Sequence, residues 1–132
     1  MDETRKSASS LFAIIIGLFL MVEGLWGLTS DVVFGGLTTN RTHAIIHIVL
    51  GVIGILAGWK NRARGFCIFL GILLLAVGVL RFVPGVSDLI VQLLNVNNAV
   101  AWLNIVVGAV ALLVAFVPGE DRLRRNREVA TR

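Results

Sequence analysis

Four apolar runs, residues 11–28, 42–59, 65–83 and 99–117, each separated from the next by basic or polar residues, constrain this chain more than any other feature. A hydrocarbon core about 30 Å thick is crossed by a helix of ~20 mostly apolar residues, and each run has about that length. The expected architecture is an all-α membrane protein, four transmembrane helices in a bundle, with residues 1–132 forming a single domain. Composition points the same way. A chain of 132 residues that is 57% hydrophobic and 15% charged has more apolar surface than a water-soluble fold of that size can bury, so lipid must cover the rest. No room remains for a soluble catalytic domain.

The formal net charge of +4 could indicate nucleic acid in a soluble protein, but here the charges sit at the ends of the runs and read as topology signals. Ten of the twelve Lys and Arg residues fall before the first run, between the second and third, or after the fourth; only Arg41 and Arg81 lie on the other side. The positive-inside bias therefore places both termini and the 60–64 turn in the cytoplasm and the two longer loops outside. Trp26 and Trp59 fit interfacial anchoring, and Trp102 is expected to pack more deeply. Glu23 and the lack of a small-x-small cleavage site keep the first run as a span instead of a cleaved leader. The basic segment 118–132 reads as a solvated cytoplasmic tail. Cys67 is the single cysteine, so no internal disulfide can form.

Displacing the sequence by 57 positions overlays its second half on its first: Ser30-Asp31 on Ser87-Asp88, Leu37 on Leu94, Asn40 on Asn97, Ala44 on Ala101, Ile48-Val49 on Ile105-Val106, and Gly51 on Gly108. A slip of three residues sets Gly17 and Gly24 on Gly71 and Gly78. The chain thus reads as a tandem parallel repeat of a two-helix hairpin, about 11–59 and about 65–117, unlike the inverted repeats of many transporters. Ser30-Asp31 and Ser87-Asp88 precede the apolar stretches 32–37 and 89–94. Side-chain oxygens there could cap a helical turn, so a short interfacial helix is expected in each exterior loop, less firmly in the first because of Gly35-Gly36.

Small residues form a stripe on each run. His43, His47, Gly51, Gly54 and Gly58 project within about 80° of one another on a helix of 3.6 residues per turn. Asn97, Ala101, Asn104, Gly108, Ala111 and Ala115 repeat the pattern, as do Cys67, Gly71, Gly78 and Arg81, and Ala13, Gly17, Gly24 and Gly27. Lipid tails are as apolar as leucine, so helices associate in a bilayer through close packing, which small residues permit. These stripes are expected to face the bundle interior and to leave little space for an aqueous pore.

Chemistry has one place left. Glu23, His47 and Asn104 lie about 7 to 9 Å below the outer boundary at 1.5 Å per residue, with His43 and Arg81 about one turn nearer the exterior. Ionisable groups at membrane depth need partners, and the pairing expected is Glu23 with His47, with Arg81 reaching in from above. In one reading the layer only hydrogen-bonds the spans together, at about 0.6 to 2 kcal/mol per contact, which fits Asn104 standing where the first half has His47. In the other, His43 and His47 at i and i+4 ligate a metal, haem or another tetrapyrrole, or handle protons together with Glu23. Closed zinc sites need four ligands, which this layer lacks, and no nucleophile or HExxH accompanies the histidines, so no enzyme activity is expected.

The run Asn40-Arg41-Thr42-His43-Ala44-Ile45-Ile46-His47-Ile48-Val49-Leu50-Gly51 resembles the NxxHxxxHxxxG signature of the domain-of-unknown-function 4383 family of small four-span bacterial membrane proteins. The resemblance extends from the first span to the end of the fourth. It implies a four-helix protein of the bacterial inner membrane and marks His43, His47 and Gly51; the family often carries a further histidine where this chain has Asn104. The resulting expectation is a non-enzymatic structural or accessory component that contacts membrane lipid, itself or a larger membrane complex, with no nucleic acid, no metal and no cofactor. The alternative is haem, tetrapyrrole or metal binding, or proton handling, through Glu23, His43 and His47.

Overall fold

A computed structural model describes residues 7–117 and 128–131. The expected contributions of Arg5, Lys6 and most of the basic tail lie outside the described residues. In chain order the elements are α1 (Ala8–Gly27), β1 (Val32–Val33), β2 (Leu37–Thr38), α2 (Arg41–Trp59), α3 (Ala63–Leu80), α4 (Ser87–Leu94) and α5 (Asn98–Ala115). The four long helices, α1, α2, α3 and α5, have the length and hydropathy of membrane spans. Their outward positions, such as Leu11, Ile15, Leu18, Val22 and Leu25 on α1, are exposed apolar side chains, as lipid contact requires.

Each span begins or ends where local chemistry dictates. Ser7 caps α1 by accepting from the Ser10 amide, Asn40 caps α2 by accepting from that of His43, and Asn97 caps α5 by accepting from that of Val100. All three use a short side-chain oxygen to satisfy an amide that the helix leaves without a partner. At the other end of α2, Asn61 takes a left-handed conformation (φ 56°) that lets the chain turn directly into α3.

The spans pair as two antiparallel hairpins, α1 with α2 and α3 with α5, and both close along glycine seams. A Cβ built on Gly17 would lie 2.7 Å from the Gly51 carbonyl oxygen, and one on Gly51 2.7 Å from that of Gly17. In the second hairpin Gly71 and Gly108 stand in the same reciprocal relation at 2.9 Å. Gly24 faces Ala44 and Ile48, as Gly78 faces Ala101 and Ile105. Gly58 lies against Ser10 and Ile14, and Gly54 receives the ring of Phe66 from α3. All eight of these glycines are buried. Between the hairpins, at the end holding the α2–α3 turn, an apolar core gathers Ala13, Ile16, Leu20, Leu50, Phe66, Cys67, Leu70, Leu74 and Ala115. There Ser9 Oγ donates to the Val114 carbonyl, joining α1 to α5.

The loop end departs from expectation in the first hairpin. Residues 30–39 form no helix but a small antiparallel ribbon, pairing Val32 with Thr38 and Val33 with Leu37. Its turn places Phe34 and Gly35 at φ 52° and 75°, the positive values of a primed hairpin turn. β-Branched Val32, Val33, Thr38 and Thr39 around a Gly-Gly pair favour that ribbon over a helical turn. The second loop does hold a short helix, α4, but its N-cap is Val86, with no side-chain cap; Ser87 is its first residue and instead accepts from Arg81 Nη1 at 2.9 Å. Trp102 is 59% exposed, so it faces outward beside Phe82 and does not pack into the bundle.

The two loops are zipped together. Thr38 Oγ1 donates to the Asn95 carbonyl (2.6 Å) and accepts from the Asn97 amide (3.0 Å), while Asn95 Nδ2 donates to the Thr39 carbonyl (2.6 Å). Asn40 Nδ2 reaches the Leu93 carbonyl and Asn97 Nδ2 that of Gly36, both at 2.9 Å. Because Asn40 and Asn97, like Gly36 and Leu93, are 57 positions apart, these last two bonds are the same bond made in both directions.

Seam and zipper are both open to measurement by thermal unfolding in mild detergent. Gly51→Ala is expected to cost about 1–3 kcal/mol through overpacking. Gly65→Ala, where a Cβ meets nothing within 4 Å, is expected to gain up to about 1 kcal/mol of helix propensity. Thr38→Val leaves a buried carbonyl and an amide without partners and is expected to cost about 1–3 kcal/mol.

Candidate functional site

The polar side chains on the stripes do not form one continuous layer. Glu23 on α1 and His43 and His47 on α2 come together inside the first hairpin, at 3%, 4% and 4% exposure. The i, i+4 spacing puts both imidazoles on the face that also carries Gly51, so the seam that draws α2 against α1 buries them with it. Glu23 immediately precedes Gly24, whose backbone meets Ala44 and Ile48, which sets the carboxylate beside the turn between the two histidines.

Three contacts link the group. Glu23 Oε2 lies 3.3 Å from His47 Nδ1. The direction of approach is wrong for a hydrogen bond, so Nδ1 is a fully buried nitrogen with an ionic neighbour but no hydrogen-bond partner. The rings of His47 and His43 meet edge to face, with centroids 4.2 Å apart. His43 Nδ1 donates to the Leu94 carbonyl at 2.9 Å, which ties the site to the last residue of α4. A carbonyl can only accept, so that ring carries its hydrogen on Nδ1 and, when neutral, leaves Nε2 with a free lone pair.

Arg81 and Asn104 stand apart from this group. Arg81 does not reach Glu23: its Nε donates to the Val96 carbonyl at 2.7 Å and its Nη1 to Ser87, so it fastens α4 to the end of α3. Asn104 is buried on α5 and hydrogen-bonds to neither Glu23 nor a histidine. Cys67 lies near the opposite end of the bundle, its Sγ 3.7 Å from the Ser9 carbonyl. Among the described residues no three His, Cys, Asp or Glu side chains are grouped to hold a metal ion. Sequence reasoning missed the Leu94 carbonyl and the Thr38–Asn95 lock, since nothing in the residue pattern marks a backbone acceptor on a distant loop. The Asn40 cap was accessible, because an Asn three residues before the histidine is a helix-start signal.

The second hairpin serves as an internal control. In register with the glycine seams, Glu23 corresponds to Val77, His43 to Val100 and His47 to Asn104. There the space is filled by an apolar cluster of Ile90, Val96, Val100 and Ala101, against which Val77, Leu37 and Leu94 pack. The same backbone closure is thus reached without an ionisable group. A further feature of the loop-end half is a cleft of about 480 Å³ lined by apolar side chains including Phe19, Phe34, Leu37, Trp102, Leu103 and Val106.

Four apolar helices closed by glycine seams around a buried carboxylate–imidazole group define an integral membrane protein of the small helical-bundle class. The chain matches the domain-of-unknown-function family DUF4383 over residues 10–117 and belongs to that family. No protein of curated function and no solved structure is significantly similar to it.

Removing one partner from a buried polar pair leaves the other uncompensated. His47→Asn alone is therefore expected to destabilise the bundle by about 1–3 kcal/mol. The combination Glu23→Val, His43→Val and His47→Asn, which copies the second hairpin, is expected to restore most of that loss. Thermal denaturation of both variants in the same detergent checks this. A combined variant no more stable than His47→Asn would mean that the first hairpin needs its polar group in order to close.

Proposed function

We infer that the chain is a non-enzymatic structural or accessory component of a bacterial inner-membrane assembly, built from one helical hairpin used twice in like orientation. The observation that carries this reading is the closure of both seams to backbone contact at Gly17–Gly51 and Gly71–Gly108, which leaves no substrate-sized space along either hairpin. The apolar cleft between the hairpins offers a surface for a transmembrane helix of a partner or of a second copy. Among the described residues no serine or cysteine stands beside the histidines to act as a nucleophile, since Cys67 is at the far end and Ser87 is engaged by Arg81. The charge distribution supports cytoplasmic termini and exterior loops.

A second reading, proton handling by Glu23, His43 and His47, is favoured by the internal control: a group that packing does not require, in a place where ionisable side chains are costly, has a reason of its own to be there. Haem or metal ligation draws less support. Both rings are buried against each other, and Nδ1 of His43 is already engaged.

Topology and assembly are tested together. In a Cys67→Ala background, Asp31→Cys and Asp88→Cys are expected to react with an impermeant maleimide in intact cells, and Lys60→Cys only after permeabilisation. Native mass spectrometry of protein extracted with its surrounding lipid is expected to show a homo-oligomer or a stoichiometric partner. A bare monomer would overturn the accessory reading.

A further inference from the structure

The buried group in the first hairpin can be treated as one electrostatic unit, because almost nothing else charged reaches it. α1 contributes Glu23, and α2 contributes His43 and His47. α4 offers the Leu94 carbonyl, and α5 places the neutral amide of Asn104 at the corresponding position of the other hairpin. Arg81 at the end of α3 is committed to Val96 and Ser87, while Arg41, Asp31 and Asp88 are exposed at the loop end. A carboxylate with two neutral imidazoles carries a net charge of −1; one added proton makes the unit neutral, and a second makes it +1. At membrane depth the neutral state is the least costly, so the unit is suited to hold one proton among the Glu23 carboxylate and the two rings, with Glu23 Oε2 and His47 Nδ1 3.3 Å apart.

The unit has one way out. His43 touches the end of α4, which belongs to the zipped loops. In the other direction the seam is sealed by Gly17 against Gly51 and by Gly58 against Ser10 and Ile14. Among the described residues, the next ionisable side chain within the bundle is Cys67 beside Ser9, roughly 20 Å along α1 from Glu23.

We propose that Glu23, His47 and His43 form a proton-binding site that loads and unloads only from the loop end, and that its net charge, through the cost of burying it and not through loss of the His43–Leu94 bond, governs how readily α4 separates from the bundle. This deepens the proton-handling reading and rests on it, independently of the accessory role; on the orientation inferred above, the site reads external pH. A second proton, taken from solvent onto Nε2 of His43, gives the buried unit a net positive charge. The hydrated, opened arrangement accepts that proton more readily than the closed one, so acid shifts α4 towards release.

The test uses the full chain in lipid nanodiscs with ring-¹⁵N histidine, whose two residues give two resolvable rings. As the sample is acidified from about pH 8, the His43 ring is expected to pass from the Nδ1–H neutral form to imidazolium. Relative to the intrinsic rate at each pH, the protection of amides 87–97 from exchange is expected to fall about tenfold or more over the same titration. Glu23→Gln should change the His47 ring signals, and His43→Gln should remove the pH dependence of that protection. Ring signals that stay constant over the whole range in the native chain overturn the site without reference to any variant. Loop protection that follows pH equally in His43→Gln overturns the coupling. A Glu23-dependent proton leak across proteoliposomes would overturn the one-sided access.

Discussion

Helices in a bilayer gain nothing from hiding apolar side chains from each other, so every feature of this bundle depends on how closely two backbones can approach. At Gly17–Gly51 and Gly71–Gly108 they approach until no Cβ would fit, and the hairpins take their register from those two points. The same closeness removes space along each hairpin, which is why the lower half of the first seam is sealed. It also decides what becomes of any polar side chain on the glycine face. Such a side chain is carried into the seam and must find its partner there.

The two hairpins share this geometry to the level of individual contacts, and the loops that join them exchange the same asparagine bonds in both directions. Against this background one asymmetry within the seams is informative. Val77, Val100 and Asn104 fill one seam and Glu23, His43 and His47 the other, although the glycines close both alike. A polar group that packing does not demand, linked to a loop by one hydrogen bond, is where a role beyond architecture is to be sought.

Most of the architecture was legible before any coordinates. The span expected at 42–59 is the helix Arg41–Trp59, and the glycines placed on interior stripes are the residues of the seams. Hydrophobic length and small-residue spacing are local properties, so they survive reading one residue at a time. The loops were less legible. A helix was expected at 32–37 from a Ser-Asp pair, but β-branched residues flanking a turn that requires positive φ favoured a ribbon. Arg81 was expected above Glu23 on depth alone, yet nearer carbonyl and hydroxyl acceptors on Val96 and Ser87 took its donors. Trp102 was expected to pack because it lies inside a span, but depth along a helix says nothing about which face a residue is on.

The sequence by itself determined that four helices cross a membrane, which of their faces meet, and that Glu23 and His47 share a level with His43 one turn nearer the exterior, because helical periodicity and hydropathy depend only on the order of residues. Only the tertiary structure decided that these three side chains touch, that Arg81 and Asn104 stand outside their group, and that the Leu94 carbonyl fixes the His43 tautomer. The last of these joins residues 51 positions apart through a backbone carbonyl, which is the same at every position and so leaves no trace in the pattern of side chains.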